Sequence, residues 1–220
     1  MKAYVYSEVE SKFIESILAP FNGIISGSVW SLEHKGLSEI KIKIKKHYLK
    51  EQNSTCAVCK QRILVAHAAA WDIEHIVSRD ENSNFCFEPL NLCVTCKDCN
   101  IEKSDKKVLI RSRKDKYSKK TGQYVIIHPH FDKYSEHIDV IEAGLLYNGK
   151  TDKGKCTIKT YGLKRFLHQR FLPECSTNDL AEKFLAVAKI LSEGEENVDH
   201  LIALVSINYA IENKIKNYLS

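Results

Sequence analysis

With 220 residues, 44% of them hydrophobic, the chain can bury the core of one large domain or of a small domain with appendages. It has no apolar run long enough to span a bilayer, and its opening "MKAYVYSEVE" lacks the apolar stretch of a signal peptide, so a soluble cytoplasmic protein is expected. Net charge is only +5, but residues 103–120 hold nine Lys/Arg and two Asp, a local +7 that leaves −2 for the remainder, and a strip this concentrated suits a polyanion such as DNA.

In chain order, "VESKFIESILAPF" (9–21) has helical spacing and stops at Pro20, and "IISGSVW" is a short apolar stretch broken by glycine. "LSEIKIKIKKHYLKEQ" (37–52) alternates with period two at its centre, yet it contains no turn residue and is read as helix. Strands are predicted at "RILVA" (62–66), "WDIEHIV" (71–77) and "PLNLCVT" (89–95), and "KDCNIEKSDK" (97–106) opens a helix. Farther on, "QYVIIH" (123–128) reads as a strand. Two apolar runs around "NGKTDKGK" predict a hairpin, and "KRFLHQRFL" (164–172) predicts a helix ending at Pro173. Two more helices are expected after Thr177, broken at Gly194; residues 174–220 carry eight acids and four Lys. These elements suggest an N-terminal helical region (1–52), a core with the basic strip (53–120), a strand and hairpin extension (121–175) and a helical tail (176–220).

Eight cysteines in a reducing cytosol are better read as metal ligands or buried thiols than as disulfides. Cys56-x-x-Cys59 is answered thirty-six residues later by either Cys93/Cys96 or Cys96/Cys99. Cys93 lies in the apolar run "LNLCVT", where a packed thiol is unremarkable, whereas Cys96 and Cys99 flank the polar turn "KD". Cys56, Cys59, Cys96 and Cys99 are therefore the predicted ligands of a structural Zn²⁺, a closed tetrahedral set with no position left for water. Cys86, Cys156 and Cys175 have no partner at ligand spacing, and His128, His130 and His137 are assigned to structural hydrogen bonding.

Between the cysteine pairs, Glu74 and His75 adjoin at the end of a predicted strand, and Asn100 follows Cys99 directly. A carboxylate, an imidazole and an amide oxygen converging there make a site for one divalent ion with positions left for water and phosphate oxygens, as Mg²⁺ prefers.

"DIEHIVS", "NL" and "CKDCNIEK", in that order from about Cys56 to Lys106, resemble the HNH endonucleases, in the version enclosed by two C-x-x-C pairs. The resemblance implies an α+β fold: a ββα-metal core with a structural zinc knuckle, a small hairpin sheet and surrounding helices. It implies metal-dependent hydrolysis of phosphodiester bonds in DNA, with His75 as general base, Glu74 and Asn100 as ligands of Mg²⁺ or Mn²⁺, and Asn91 organising the loop between strand and helix. The acid is Glu rather than the commoner Asp, so Asp72 competes for the ligand role. Lys103, one turn beyond Asn100, is expected to face the same phosphate, and Arg79 a flanking one. "HPHFDKYSEHI" and the segment after it also resemble the nuclease subunit of Septu-type anti-phage systems, which works beside an ATPase. Two other readings use the same residues: a zinc-stapled module that binds nucleic acid without cutting it, and a nuclease subunit gated by a protein partner on the acidic tail.

Overall fold

The computed structural model describes residues 1–21, 26–65, 68–111, 116–143 and 146–165. The predicted helices over 164–172 and beyond Thr177 fall almost wholly outside these residues, as do Cys175 and residues 112–115 of the basic strip. The architecture is α+β, with helices around two small antiparallel sheets. No described helix is long and apolar enough to cross a membrane.

Helix α1 (Glu8–Leu18) starts at a capping box in which Ser7 Oγ accepts from Glu10 N–H and the Glu10 carboxylate accepts from Ser7 N–H. Pro20 then closes it in a 3₁₀ turn. A second 3₁₀ turn, Gly27–Ser31, buries Val29 and Trp30. Helix α2 (Lys35–Glu51) resolves the ambiguity of "IKIKIK". Its buried residues Leu37, Ile40, Ile44 and Tyr48 recur every three or four positions, whereas Ile42 is left 66% exposed. A strand would have buried all three isoleucines on one face; a helix needs only two of them.

Strand β1 (Trp71–His75) pairs antiparallel with β2 (Leu92–Cys96), in register from Trp71 opposite Cys96 to His75 opposite Leu92. Helix α3 (Lys97–Lys103) follows with no intervening loop, so the three elements form a ββα unit. Both α2 and α3 pack against this sheet, which explains why every residue of β2 is buried. Gln52, just past α2, pairs the outer edge of β2 as another strand would: its amide accepts from Val94 N–H at 2.8 Å and donates to Val94 O at 2.7 Å.

The second sheet joins β3 (Ile138–Glu142) to β4 (Leu146–Gly149), with a bulge between Val140 and Glu142. A hairpin forms, but its turn lies before "NGKTDKGK": Asn148 and Gly149 belong to β4, and Thr151 caps α4 (Asp152–Thr160) by accepting from Gly154 N–H. The Thr cap and buried Gly154, Thr157 and Ile158 carry a helical period that outweighs the turn residues. Glycine is required at 154, where a Cβ would stand 2.0 Å from His137 O. Two predicted strands do not form. In "RILVA" only Arg62 bridges, to Thr55, while Leu64 is 72% exposed. "QYVIIH" is largely buried but makes only an isolated antiparallel bridge, Tyr124 to Leu109, and Ile127 N–H donates to the side chain of Thr157 at Oγ1.

Candidate metal centre and the adjoining cavity

Cys56 and Cys59 lie on a turn after α2 that closes through Cys56 N–H to Gln61 O and a positive φ of 59° at Lys60. Cys96 ends β2 and caps α3, and Cys99 sits in the first turn of α3. The fold gathers these four, all buried, with ligand atoms within 4.8 Å of one another. The Cys59 and Cys96 sulfurs are 3.8 Å apart. Four Zn–S bonds of about 2.3 Å in a tetrahedron require a separation of about 3.8 Å, so the donor set fits Zn²⁺. Cys96 N–H donates to Cys56 Sγ at 3.4 Å and Arg165 Nη2 to Cys99 Sγ at 3.3 Å, contacts that favour thiolates. Tyr134 and Tyr147 tie the turn to the downstream sheet through hydroxyl bonds to Val58 O and Cys59 O. Cys93 lies outside the cluster; burial pushes its thiol well above the usual range, so it packs as a neutral group.

On the other side of the ββα unit, α3 lies along β1 and pairs with it residue by residue. Asn100 Nδ2 donates to Asp72 Oδ2 at 3.0 Å, and Lys103 Nζ pairs with Glu74 Oε1 at 2.9 Å. Two strand residues that share a face thus meet two helix residues one turn apart. Glu74 and Lys103 are 2% and 1% exposed. Burial lifts the Glu74 carboxyl to about 6, a rise that the Lys103 charge partly offsets. Tyr161, from beyond α4, also donates to Glu74 Oε1, at 3.3 Å. Both bonds fall on Oε1 and leave Oε2 open to a ligand. Asp72 holds the nitrogen end of the Asn100 amide, so the amide oxygen is likewise open. A carboxylate and an amide oxygen form a hard donor set of the kind Mg²⁺ or Mn²⁺ takes.

His75 points off the opposite face of β1. Its Nε2 lies 3.1 Å from Cys86 O, and its ring stands edge-on to Trp30 at 4.6 Å. A carbonyl only accepts, so Nε2 carries the proton and Nδ1 the lone pair. Burial, aided by the Arg79 charge, pushes its pKa down to about 3, so it is neutral at pH 7 and less basic than a histidine in water. Asn91, fully buried, ties the loop that joins the two strands. It accepts from Val77 N–H at 2.7 Å and donates to Val77 O and Phe85 O, both at 3.0 Å. Asn91→Ala strands three buried backbone groups, and a loss of about 3 kcal/mol in urea-measured stability is expected; a loss under about 1 kcal/mol would show that the loop has other support.

Glu74, His75, Asn100, Lys103 and Arg79 all line one cavity of about 900 Å³. Lys103 does not reach out toward a phosphate: its ammonium is held inside by Glu74 and by His75 O at 2.8 Å. Arg79 anchors one guanidinium nitrogen on Gly27 O and Ser31 Oγ. Of the basic strip, Lys103 is buried and Lys106 bonds Thr160 O, whereas Lys107, Arg111, Lys116, Lys119 and Lys120 are exposed. Sequence reasoning missed Tyr161 and the Cys86 carbonyl, for which no local signal exists. It also missed the α2 lysines on the far wall, which were visible only as part of an ambiguous alternation.

No family model matches the chain, and no solved structure matches it. A curated relative, the Septu protein PtuB of Bacillus thuringiensis, is 30% identical over 149 residues, covering 66% of this chain and 52% of the relative. The chain thus spans about half the length of the curated relative it matches.

Proposed function

We propose that the chain is a metal-dependent endonuclease of the HNH type, hydrolysing phosphodiester bonds in DNA within a Septu-like anti-phage system. The observation that carries this reading is the ββα unit, which brings Glu74, His75 and Asn100 to one cavity. The similarity to the Septu protein supports the defence setting, and the resemblance of "HPHFDKYSEHI" and the segment after it to Septu-type nuclease subunits adds an ATPase as partner. Neutral His75 takes the proton of the attacking water; an anionic phosphate beside it offsets the Arg79 and Lys41 charges that weaken it as a base. Glu74 and Asn100 offer Oε2 and Oδ1 to the divalent cation, which when bound supplies Lewis-acid stabilisation of the charge growing on phosphate and leaving oxygens. Lys103, Tyr161 and Asp72 act indirectly, by fixing which oxygens of Glu74 and Asn100 face the cavity. Zn²⁺ on Cys56, Cys59, Cys96 and Cys99 holds the corner between β2 and α3.

Plasmid nicking with Mg²⁺ or Mn²⁺ tests the assignment, if needed with the ATPase partner present. His75→Ala should lower the rate by about 10²–10⁴-fold, the usual contribution of a general base, while leaving the folded structure and zinc content in place. Undiminished nicking by His75→Ala removes the mechanism. DNA binding with no cleavage under any divalent cation favours the non-cutting binding module.

A further inference from the structure

The cavity has a second wall that the catalytic assignment does not use. Helix α2 turns Ile40 and Ile44 inward and presents Lys41, Lys45 and Lys46 to the cavity, facing α3. Lys41 Nζ stands 5.1 Å from the centroid of the Trp30 ring, the same ring that packs edge-on to His75. Arg79 reaches the cavity from the loop after β1, oriented by its bonds to Gly27 O and Ser31 Oγ. Lys45 is tied down by a bond to Trp71 O.

The charges here are not balanced internally. Among the described residues no salt bridge involves Lys41, Lys46 or Arg79. Partial burial and the neighbouring Arg79 both disfavour the Lys41 charge. Lys103 neutralises Glu74, and Asp72, Asp80 and Asp105 share the cavity with Lys41, Lys45, Lys46 and Arg79, which leaves the lining one positive charge in excess. Like charges held together beside a general base are unfavourable in the free protein and become favourable when an anion settles between them. The 103–120 strip keeps exposed cations at Lys107, Arg111, Lys116, Lys119 and Lys120, but among the described residues none of these lines the cavity that holds His75.

We propose that Lys41 and Lys46 of α2, together with Arg79, form the seat for the phosphodiester backbone of the substrate strand, so that the strand enters between α2 and α3. The proposal rests on the nuclease reading of the His75 site. It identifies α2, rather than the strip that follows α3, as the main phosphate-tracking surface. Exposed Ile42 and Ile101, 66% and 62% accessible, add apolar contact on the two sides of the entrance.

The test is the salt dependence of binding to a fluorescent DNA duplex and to its single strand, without added Mg²⁺ and with zinc retained. Measurements use the full chain carrying His75→Ala, to prevent cutting. Adding Lys41→Gln or Lys46→Glu should each reduce the slope of log affinity against log salt by about 1, and weaken binding at 0.1 M salt by roughly threefold or more. Lys46 is exposed, so its variant bears on the proposal even if Lys41→Gln unfolds the chain. Lys133→Gln, at a 74% exposed side chain paired with Glu136, should leave the slope unchanged. An unchanged slope in the α2 variants, or an equal fall in Lys133→Gln or in a Lys119→Gln/Lys120→Gln strip variant, overturns the proposal. Reduced slopes combined with undiminished nicking by the single His75→Ala variant uphold the phosphate seat and overturn the nuclease assignment. Abolished nicking with unchanged slopes does the reverse.

Discussion

A Cys96→Ser chain is expected to lose its bound zinc and, with it, the cooperative thermal transition of the ββα unit. Strands β1 and β2 have five residues each and pair only with one another. A lone two-stranded sheet is marginal in water. Besides the packing of α2 and α3, an ion joining Cys96 and Cys99 to the Cys56–Cys59 turn would close it, so ion binding and folding are expected to be linked. Structural zinc sites of this type contribute about 10–16 kcal/mol in small domains, more than the whole stability of most domains. Elemental analysis should find one zinc per wild-type chain, and circular dichroism of Cys96→Ser should show a broad, early transition. Cys93→Ala is the control: a buried thiol outside the cluster should cost about 1–2 kcal/mol through lost packing and leave zinc content unchanged. A wild-type chain without zinc, or a Cys96→Ser chain that melts like the parent, would contradict the assignment.

Lys103→Met is expected to destabilise the fold by about 3–5 kcal/mol, the usual consequence of removing one partner from a buried ion pair. Neither side chain can turn to water, since Glu74 and Lys103 are both almost fully buried. Without the ammonium, Glu74 keeps the burial that raises its pKa and loses the interaction that lowers it. The sign of the pH dependence follows. A carboxyl whose folded pKa lies above its unfolded value favours the native state below the unfolded value and loses that contribution as pH rises through the folded one. Removing Lys103 lifts the Glu74 pKa further above 6, so the Lys103→Met deficit should be smallest below about pH 6, where Glu74 is protonated in both chains, and grow as the pH rises through 7. Glu74→Gln/Lys103→Met, which removes both charges, should recover much of the loss. Urea midpoints at pH 5 and 7 decide it, and a deficit of less than 1 kcal/mol at pH 7 would show that water reaches the pair.

Much of this arrangement was legible before any coordinates. The choice of Cys96/Cys99 over Cys93/Cys96 followed from a polar turn at a strand-to-helix corner, and those are the sulfurs that gather. The resemblance to the HNH nucleases named Glu74, His75 and Asn100 together, and all three line one cavity. The hairpin was misplaced because "NGKTDKGK" satisfies turn chemistry and a helix cap equally well, and packing of Ile158 and Tyr161 in the core chose the cap. "QYVIIH" has every local property of a strand, yet its backbone pairing stops at a single bridge between Tyr124 and Leu109, and Ile127 N–H bonds a threonine hydroxyl instead.

Local signals determined which residues form the ββα unit and which cysteines gather at its corner, because ligand spacing and hydrophobic period act over a few residues. Tertiary structure alone decided where each charge goes. Lys103 is turned inward onto Glu74, Asp72 holds the nitrogen end of Asn100, and Lys41 and Lys46 stand opposite His75. The physical reason is that a charged side chain's partner depends on which elements converge and how much water they exclude. Tyr161, eighty-seven residues from Glu74, becomes its neighbour only when the chain has closed around it.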